Sequence, residues 1–281
     1  MKIGAHISAA GGVFNAPLNA HKEDLECYQF FSRSPQGGKA PELTPEIIKK
    51  FSDNNKEFGY KNFYIHAPYY INFASVNPRI YNGSIEIIRD ELERGSKLGV
   101  KGLMFHIGSA KDLGQKEAIT KVVKGLKEVI SGYQGSCQLL LEISAGAGMV
   151  VGDTFEEIAE IIKKVETTKT KNTLGVCFDT AHAFASGYDL RDKKSVTKTF
   201  ADFDKIIGLS RLKLIHANDS LAEFNSHKDR HAHIGQGKIG KVGFEAILKN
   251  PKLKNIDLIL ETPFGPDRIK DVKLLKKLRD K

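Results

Sequence analysis

A closed α/β barrel of the (β/α)8 TIM class, forming one domain over residues 1–281, is the fold this sequence predicts, on three observations. Eight short apolar segments recur along the chain. Most are separated by stretches of helical periodicity, and strand–helix alternation is the pattern of a parallel barrel. Seven of the eight segments end in His, Asp or Glu, so the side chains able to bind a metal gather at one end of the strands, where such barrels carry their sites.

The expected strands are Ile3 to His6, Cys27 to Phe31, Phe63 to His66, Leu103 to His106, Leu139 to Glu142, Val176 to Asp179, Leu212 to His216 and Leu258 to Glu261. Gly175-Val-Cys-Phe-Asp179-Thr-Ala-His182 is the most informative. Its apolar run predicts a buried strand that turns just after Asp179, bringing His182 into the same pocket. Between strands, Thr44-Pro45-Glu46 supplies an N-cap and a proline for a helix that Gly59 closes. Ser84 is read as the start of a helix from Ile85 to Leu98, ended by Gly99. Asp153-Thr-Phe-Glu156 reads as a capping box ahead of Ile158, Ile161, Ile162 and Val165. Phe200, Phe203, Ile206 and Ile207 give one apolar face to a helix over Lys198 to Leu209, and Ile269 to Leu278 reads as a basic final helix.

The composition, 41% hydrophobic and 27% charged, is that of a globular chain able to bury a large core. Cys27, Cys137 and Cys177 are odd in number and lie in or beside apolar runs, which favours buried thiols in a reducing compartment over disulfides or a zinc ribbon. With no expected signal peptide and no run long enough to cross a bilayer, the protein is placed in the cytosol, away from membranes. A formal charge of +9 favours a polyanionic partner.

Three connections are longer than a barrel needs: Ser32 to Leu43, Ala67 to Gly83 and Asn218 to Gly240. They carry Arg33, Gln36 and Lys39, then Tyr69, Tyr70, Phe73, Arg79 and Tyr81, then Lys228, Arg230, Lys238 and Lys241. Cations interleaved with rings suit a nucleic-acid backbone with an unstacked step, so these loops are read as a DNA-binding face, with Tyr69, Arg33, Gln36, Lys39 and Arg230 as its contacts. The alternative is that the charges are solvated and the rings pack beneath their loops.

The candidate metal ligands are His66, His106, Glu142, Asp179, His182, His216, Asp229, His231 and Glu261. Nine are too many for one ion but suit two or three that share bridging carboxylates. Imidazole and carboxylate without thiolate favour zinc, with manganese or iron as alternatives. Any one member alone could be a hydrogen-bonded structural residue; converging at a barrel mouth uncompensated, the set would be costly to bury. His6 is read as supporting the ligands, and His21 and His227 as surface residues.

The chain resembles the endonuclease IV family of apurinic/apyrimidinic endonucleases along nearly its whole length. The resemblance is carried by Ile3-Gly-Ala-His6-Ile-Ser-Ala-Ala-Gly-Gly12, by Val176-Cys-Phe-Asp179-Thr-Ala-His182-Ala-Phe-Ala-Ser-Gly-Tyr188, and by His216-Ala-Asn-Asp219-Ser220 with Asp229-Arg-His231. It implies a trinuclear zinc site that cleaves double-stranded DNA at abasic sites, 5′ to the lesion, leaving a 3′-hydroxyl and a 5′-deoxyribose phosphate, and that also clears blocked 3′ ends. It further implies that His66, His106 and Glu142 hold one ion, that Glu142, Asp179, His216 and Glu261 hold a second, and that His182, Asp229 and His231 hold the third. Glu142, shared by two ions, is the expected catalytic centre, and a monomer is the expected form. The chain departs from the family pattern at Pro35-Gln36-Gly37-Gly38, which lacks the arginine and tryptophan often found there, at His233 in place of asparagine and at Gln236 in place of glutamate. Two rivals stand beside this reading. A sugar isomerase or epimerase of the same barrel class would leave His182, Asp229 and His231 without a role; a non-catalytic damaged-DNA binding protein would use its metals only structurally.

Overall fold

The apolar segments form strands because alternate residues pack into the barrel interior while the others pack under helices, so both faces are buried and polar residues are excluded until the strand ends. In the computed structural model, which describes residues 1–166 and 174–281, the chain runs β1 (Ile3–His6), α1 (Asn15–Lys22), β2 (Cys27–Phe30), α2 (Pro45–Glu57), β3 (Phe63–His66), α3 (Pro78–Leu98), β4 (Gly102–Phe105), α4 (Gln115–Ile130) and β5 (Gln138–Glu142). It continues with α5 (Phe155–Val165), β6 (Leu174–Asp179), α6 (Thr180–Ala185), α7 (Lys193–Ile206), β7 (Leu212–His216), β8 (Asp219–Ser220), β9 (His231–Ala232), α8 (Gly240–Leu248), β10 (Asp257–Leu260) and α9 (Pro266–Asp280). Strands β1 to β7 and β10 pair in parallel and close, with β10 between β1 and β7, while β8 and β9 form a small antiparallel ribbon in the loop after β7. No helix among the described residues is long and apolar enough to cross a membrane.

Inside the barrel, Cys27, Tyr64, Met104, Leu140, Cys177, Leu214 and Ile259 form a separate buried layer beneath the site. The larger core lies between strands and helices and is rich in Phe, Ile and Leu. All three thiols are free and buried. Strands β1 and β2 approach so closely that a Cβ on Gly4 would stand 2.1 Å from the carbonyl oxygen of Cys27. Backbone cannot retreat there without breaking the barrel, so Gly4→Ala is expected to cost about 3 kcal/mol or more, read as a lowered melting temperature or lost soluble yield.

Several element boundaries differ from the sequence expectation. Helix α3 begins at Pro78, where Asn77 caps it by accepting the Arg79 N–H at 2.9 Å. The loop after β3 therefore ends before Pro78 instead of running to Gly83. Ser84 sits inside α3 and bonds back to the Ile80 carbonyl at 2.8 Å. Tyr81 is buried and reaches the Lys121 carbonyl, and Phe73 is buried against Phe105, so these two rings pack under their loop and are not available to DNA. The N-cap of α5 lies one residue later than expected, with Thr154 accepting the Glu157 N–H, while the Glu157 side chain accepts the Gly152 N–H instead of closing a capping box. Asp192 caps α7, which starts earlier than expected and ends at Ile206. To the expected helices the structure adds α1, α4 and α8, and the short α6 at the turn after Asp179.

Candidate metal centre

The parallel register places the strand ends level, so His66, Glu142, Asp179 and His216 close their strands while His106 and Glu261 follow theirs by one residue. Glu142 stands at the middle. Its Oε2 lies 3.3 Å from both His66 Nε2 and His106 Nε2, and its Oε1 lies 2.8 Å from His216 Nδ1. His216 Nδ1 is also 3.2 Å from Glu261 Oε2 and 3.9 Å from Asp179 Oδ2. The remaining ligands arrive from loops. His182 follows the turn after β6, where Asp179 caps α6 by accepting the His182 N–H at 2.8 Å. Asp229 presents one oxygen to His182 Nε2 and the other to His231 Nε2, both at 3.4 Å.

Donor atoms within 4.8 Å of one another fall into three relevant groups: His66, His106 and Glu142; Glu142, Asp179, His216 and Glu261; and Asp179, His182 and His231, with Asp229 alongside. All nine expected ligands are thus brought together, and Asp179 adjoins both the second and third groups. Cys177 Sγ also lies within this distance of Glu142 and His216; burial pushes its thiol up to about 12, and it belongs to the buried layer beneath the site.

Several observations show that these residues fit divalent cations. Glu142 Oε2 and His231 Nε2 are buried without a hydrogen-bond partner among the described residues, a costly state for polar atoms unless something binds them. Burial opposes charge throughout the cluster, yet the imidazoles hold Glu142 well below the usual carboxylate range and Glu261 and Asp229 at about 2. Reciprocally, Asp179 and Asp229 overcome the burial of His182 and raise it to about 10. Four carboxylates meet at one mouth, Glu142 and Asp179 among them fully buried, and they demand positive charge, which protons or metal ions can supply.

The ring nitrogens are oriented for the same purpose. Nδ1 of His66 meets the Ala67 carbonyl at 2.6 Å and Nδ1 of His182 the Ile143 carbonyl at 2.8 Å, which turns each Nε2 lone pair inward. Two residues that sequence reasoning did not single out complete the frame. Gln29 reaches His216 Nε2 at 2.7 Å, Glu261 Oε1 at 2.8 Å and His6 Nδ1 at 2.9 Å, so His6 supports the ligands at one remove. Asn218 donates to Asp179 at 2.6 Å and accepts the Glu261 N–H at 2.9 Å. The available signals were a lone amide in the apolar run Cys27-Tyr-Gln-Phe30 and the asparagine two residues after His216.

Beside His106, His182 and Asp229 opens a cavity of about 390 Å³, walled by Tyr69 and Tyr70. Tyr69 is 60% exposed, with its ring 5.5 Å from that of His66. Gln36, Lys39 and Arg230 are exposed on their loops. Arg33 corrects the expectation of a free cation: its guanidinium is bound through Nη2 to Asp90 and through Nε to Glu91 and its side chain is largely buried, so it braces its loop. His21 and His227 are exposed, as expected.

Fold and site together define a metal-binding TIM barrel, and the family model of the xylose isomerase-like TIM barrel matches residues 18–278. The relatives narrow this class. The probable endonuclease 4 of Halothermothrix orenii is 39% identical over 99% of both chains, and that of Nitrosopumilus maritimus is 38% identical over 95% of both. The crystal structure of endonuclease IV from Thermus thermophilus superposes with a TM-score of 0.89 at 31% identity, covering 100% of this chain and 99% of that one. A D-tagatose 3-epimerase-like protein superposes at 0.73 with 22% identity, which shows a shared barrel alone. The chain belongs to the endonuclease IV family, whose activity is that of a metal-dependent endodeoxyribonuclease.

Proposed function

We propose that this enzyme incises double-stranded DNA at abasic sites, hydrolysing the phosphodiester 5′ to the lesion to leave a 3′-hydroxyl and a 5′-deoxyribose phosphate, and that the same centre clears blocked 3′ ends. The observation that carries the reading is the convergence of eight candidate ligands into three groups joined through Glu142 and Asp179, with Asp229 beside the third. Their imidazole and carboxylate chemistry suits three zinc ions, with manganese able to replace part of them. His66, His106 and Glu142 would hold one, Glu142, Asp179, His216 and Glu261 a second, and His182, Asp229 and His231 the third. Divalent cations held there would supply an activated water at neutral pH and charge to offset that on the attacked and leaving oxygens.

The chain's own residues do the rest. Asn218 and Gln29 hold the carboxylates and His216 in fixed rotamers, so little reorganisation is needed during the reaction. Tyr69 stands at the mouth, where its ring can stack on a sugar or neighbouring base. An abasic nucleotide has no base to unpair or unstack, so it enters a recessed site at lower cost than a normal one. Lys39, Lys228, Arg230 and Lys241 are exposed on the same rim and supply phosphate contacts.

Incubating metal-loaded protein with a duplex that holds one abasic analogue should give a single cut 5′ to the analogue, and a chelator should abolish it. Binding without incision would favour the damaged-DNA binding rival, and failure to bind DNA would favour a sugar isomerase. Affinity for that duplex should fall roughly a hundredfold between about 50 and 200 mM salt if four cations meet phosphates. A flat salt response would remove these cations from the interface.

A further inference from the structure

On helix α3, the charged side chains of Asp90, Glu91 and Arg94 touch none of the candidate ligands. They close instead on the loop between β2 and α2. Glu91 accepts from Ser32 Oγ at 2.7 Å and from Arg33 Nε at 2.7 Å, and Arg33 also binds Asp90. Arg94 donates to Ser32 Oγ at 2.8 Å, to the Ser32 carbonyl at 2.9 Å and to the Pro41 carbonyl at 2.7 Å. Ser32 and Pro41 stand near the two ends of the loop, so both ends are fastened to one turn of one helix. Its crown, Gln36 to Lys39, has exposed side chains and contains Gly37 and Gly38, at φ values of 113° and 96° that few other residues adopt.

The same helix holds the neighbouring loop. Ser84 accepts the Asn72 N–H at 2.9 Å, three residues beyond Tyr69, and the Tyr70 ring would lie 3.9 Å from a Cβ placed on Gly37. Glu91 is 0% exposed and Arg94 6% exposed. Burying charges in this way is costly, and apolar residues of similar volume would hold helix to barrel as well. Two glycines at the crown give a second reason for a clasp, because a glycine-rich segment loses the most entropy when it is fixed.

We propose that Glu91 and Arg94 are positioning residues: they set the crown of the β2–α2 loop over the mouth, so that Gln36 and Lys39 engage the damaged strand and fix affinity and selectivity for it. The proposal rests on the endonuclease reading. In this arrangement the clasp acts on substrate capture and leaves the phosphoester step to the metal centre.

The test uses Glu91→Gln in the full, metal-loaded protein. The steady-state KM for the abasic duplex should rise about tenfold or more while kcat stays within about twofold of wild type. Hydrolysis of bis(p-nitrophenyl) phosphate, too small to span from metals to loop, should be unchanged, and amide hydrogen exchange across residues 34–40 should quicken. Ser32→Ala, which removes only the hydroxyl shared by Glu91 and Arg94, should show the same pattern more weakly and serves if the first variant does not fold. An unchanged KM with unchanged exchange would overturn the proposal, as would equal losses on duplex and small diester, which mark a merely structural role. A wild-type protein that fails to cut the abasic duplex would overturn the endonuclease reading instead. The clasp would then be judged on exchange at residues 34–40 and on affinity for the same duplex, and no change in either would refute it.

Discussion

Replacing Glu142 with alanine should leave a folded barrel that no longer cuts abasic DNA, with single-turnover incision reduced by about three orders of magnitude or more. Glu142 is the only candidate ligand that faces His66, His106 and His216 at once. Its loss strips the first group of its sole carboxylate and the second of the one it shares with the first, so bound metal should fall from three ions to about one by elemental analysis. The fold should survive because the apolar layer from Cys27 to Ile259 lies beneath the site and does not depend on the carboxylate. In the metal-free state its removal also relieves repulsion from Glu261, which Glu142 otherwise disfavours in its charged form. Glu142→Gln keeps the shape and loses the charge; it should fail in the same way, since a neutral amide cannot compensate cations. Turnover at the wild-type rate in either variant, with a normal circular dichroism spectrum, would refute the assignment of Glu142.

The ligand set was legible in the sequence for a simple reason. A barrel strand must be apolar while it is buried on both faces, so a histidine or carboxylate ending such a run marks the place where burial stops and chemistry begins. His66, Glu142, Asp179 and His216 are all of this kind. Asp229 and His231 lie in a loop with no such rule, where only the pairing of two potential ligands one residue apart marked them, before the resemblance to known motifs added its support. The supporting frame was far less visible. Arg33 reads as a surface cation until Glu91, 58 residues away, is seen to hold it, and Tyr81 reads as a loop ring until Asn77 is found to start the helix that buries it. Pairing across such separations is a tertiary fact, and local sequence carries almost no trace of it. Gln29 is the intermediate case: a lone amide inside an apolar strand signals a partner but does not say which.

Asp219→Ala should cost as much activity as many ligand substitutions, although Asp219 faces no metal group. Its carboxylate is 0% exposed and accepts backbone N–H groups from Ser220 at 2.8 Å, Gly235 at 2.9 Å, Ile239 at 3.0 Å and Gly237 at 3.1 Å, with Gly240 at 3.2 Å. A single side chain thus gathers the far end of the loop that leaves β7 and returns at α8. Asp229 and His231 ride on that loop, and the His231 backbone belongs to the two-residue pairing of β9 with β8, where it lies opposite Ser220. Alanine would leave several buried N–H groups unpaired, a loss of about 3 to 5 kcal/mol that should lower the melting temperature by roughly 6 to 15 °C. Once the loop slackens, the group of His182, Asp229 and His231 disperses while the group of His66, His106 and Glu142 stays assembled. Incision should therefore fall about a hundredfold, with selective loss of one metal ion. Asp219→Asn separates the two effects, because its amide oxygen still accepts while its NH2 opposes the remaining N–H donors; it should fall between wild type and alanine in both stability and metal content. Full metal content in the alanine variant, with a wild-type melting temperature, would show that the loop holds its ligands without this carboxylate.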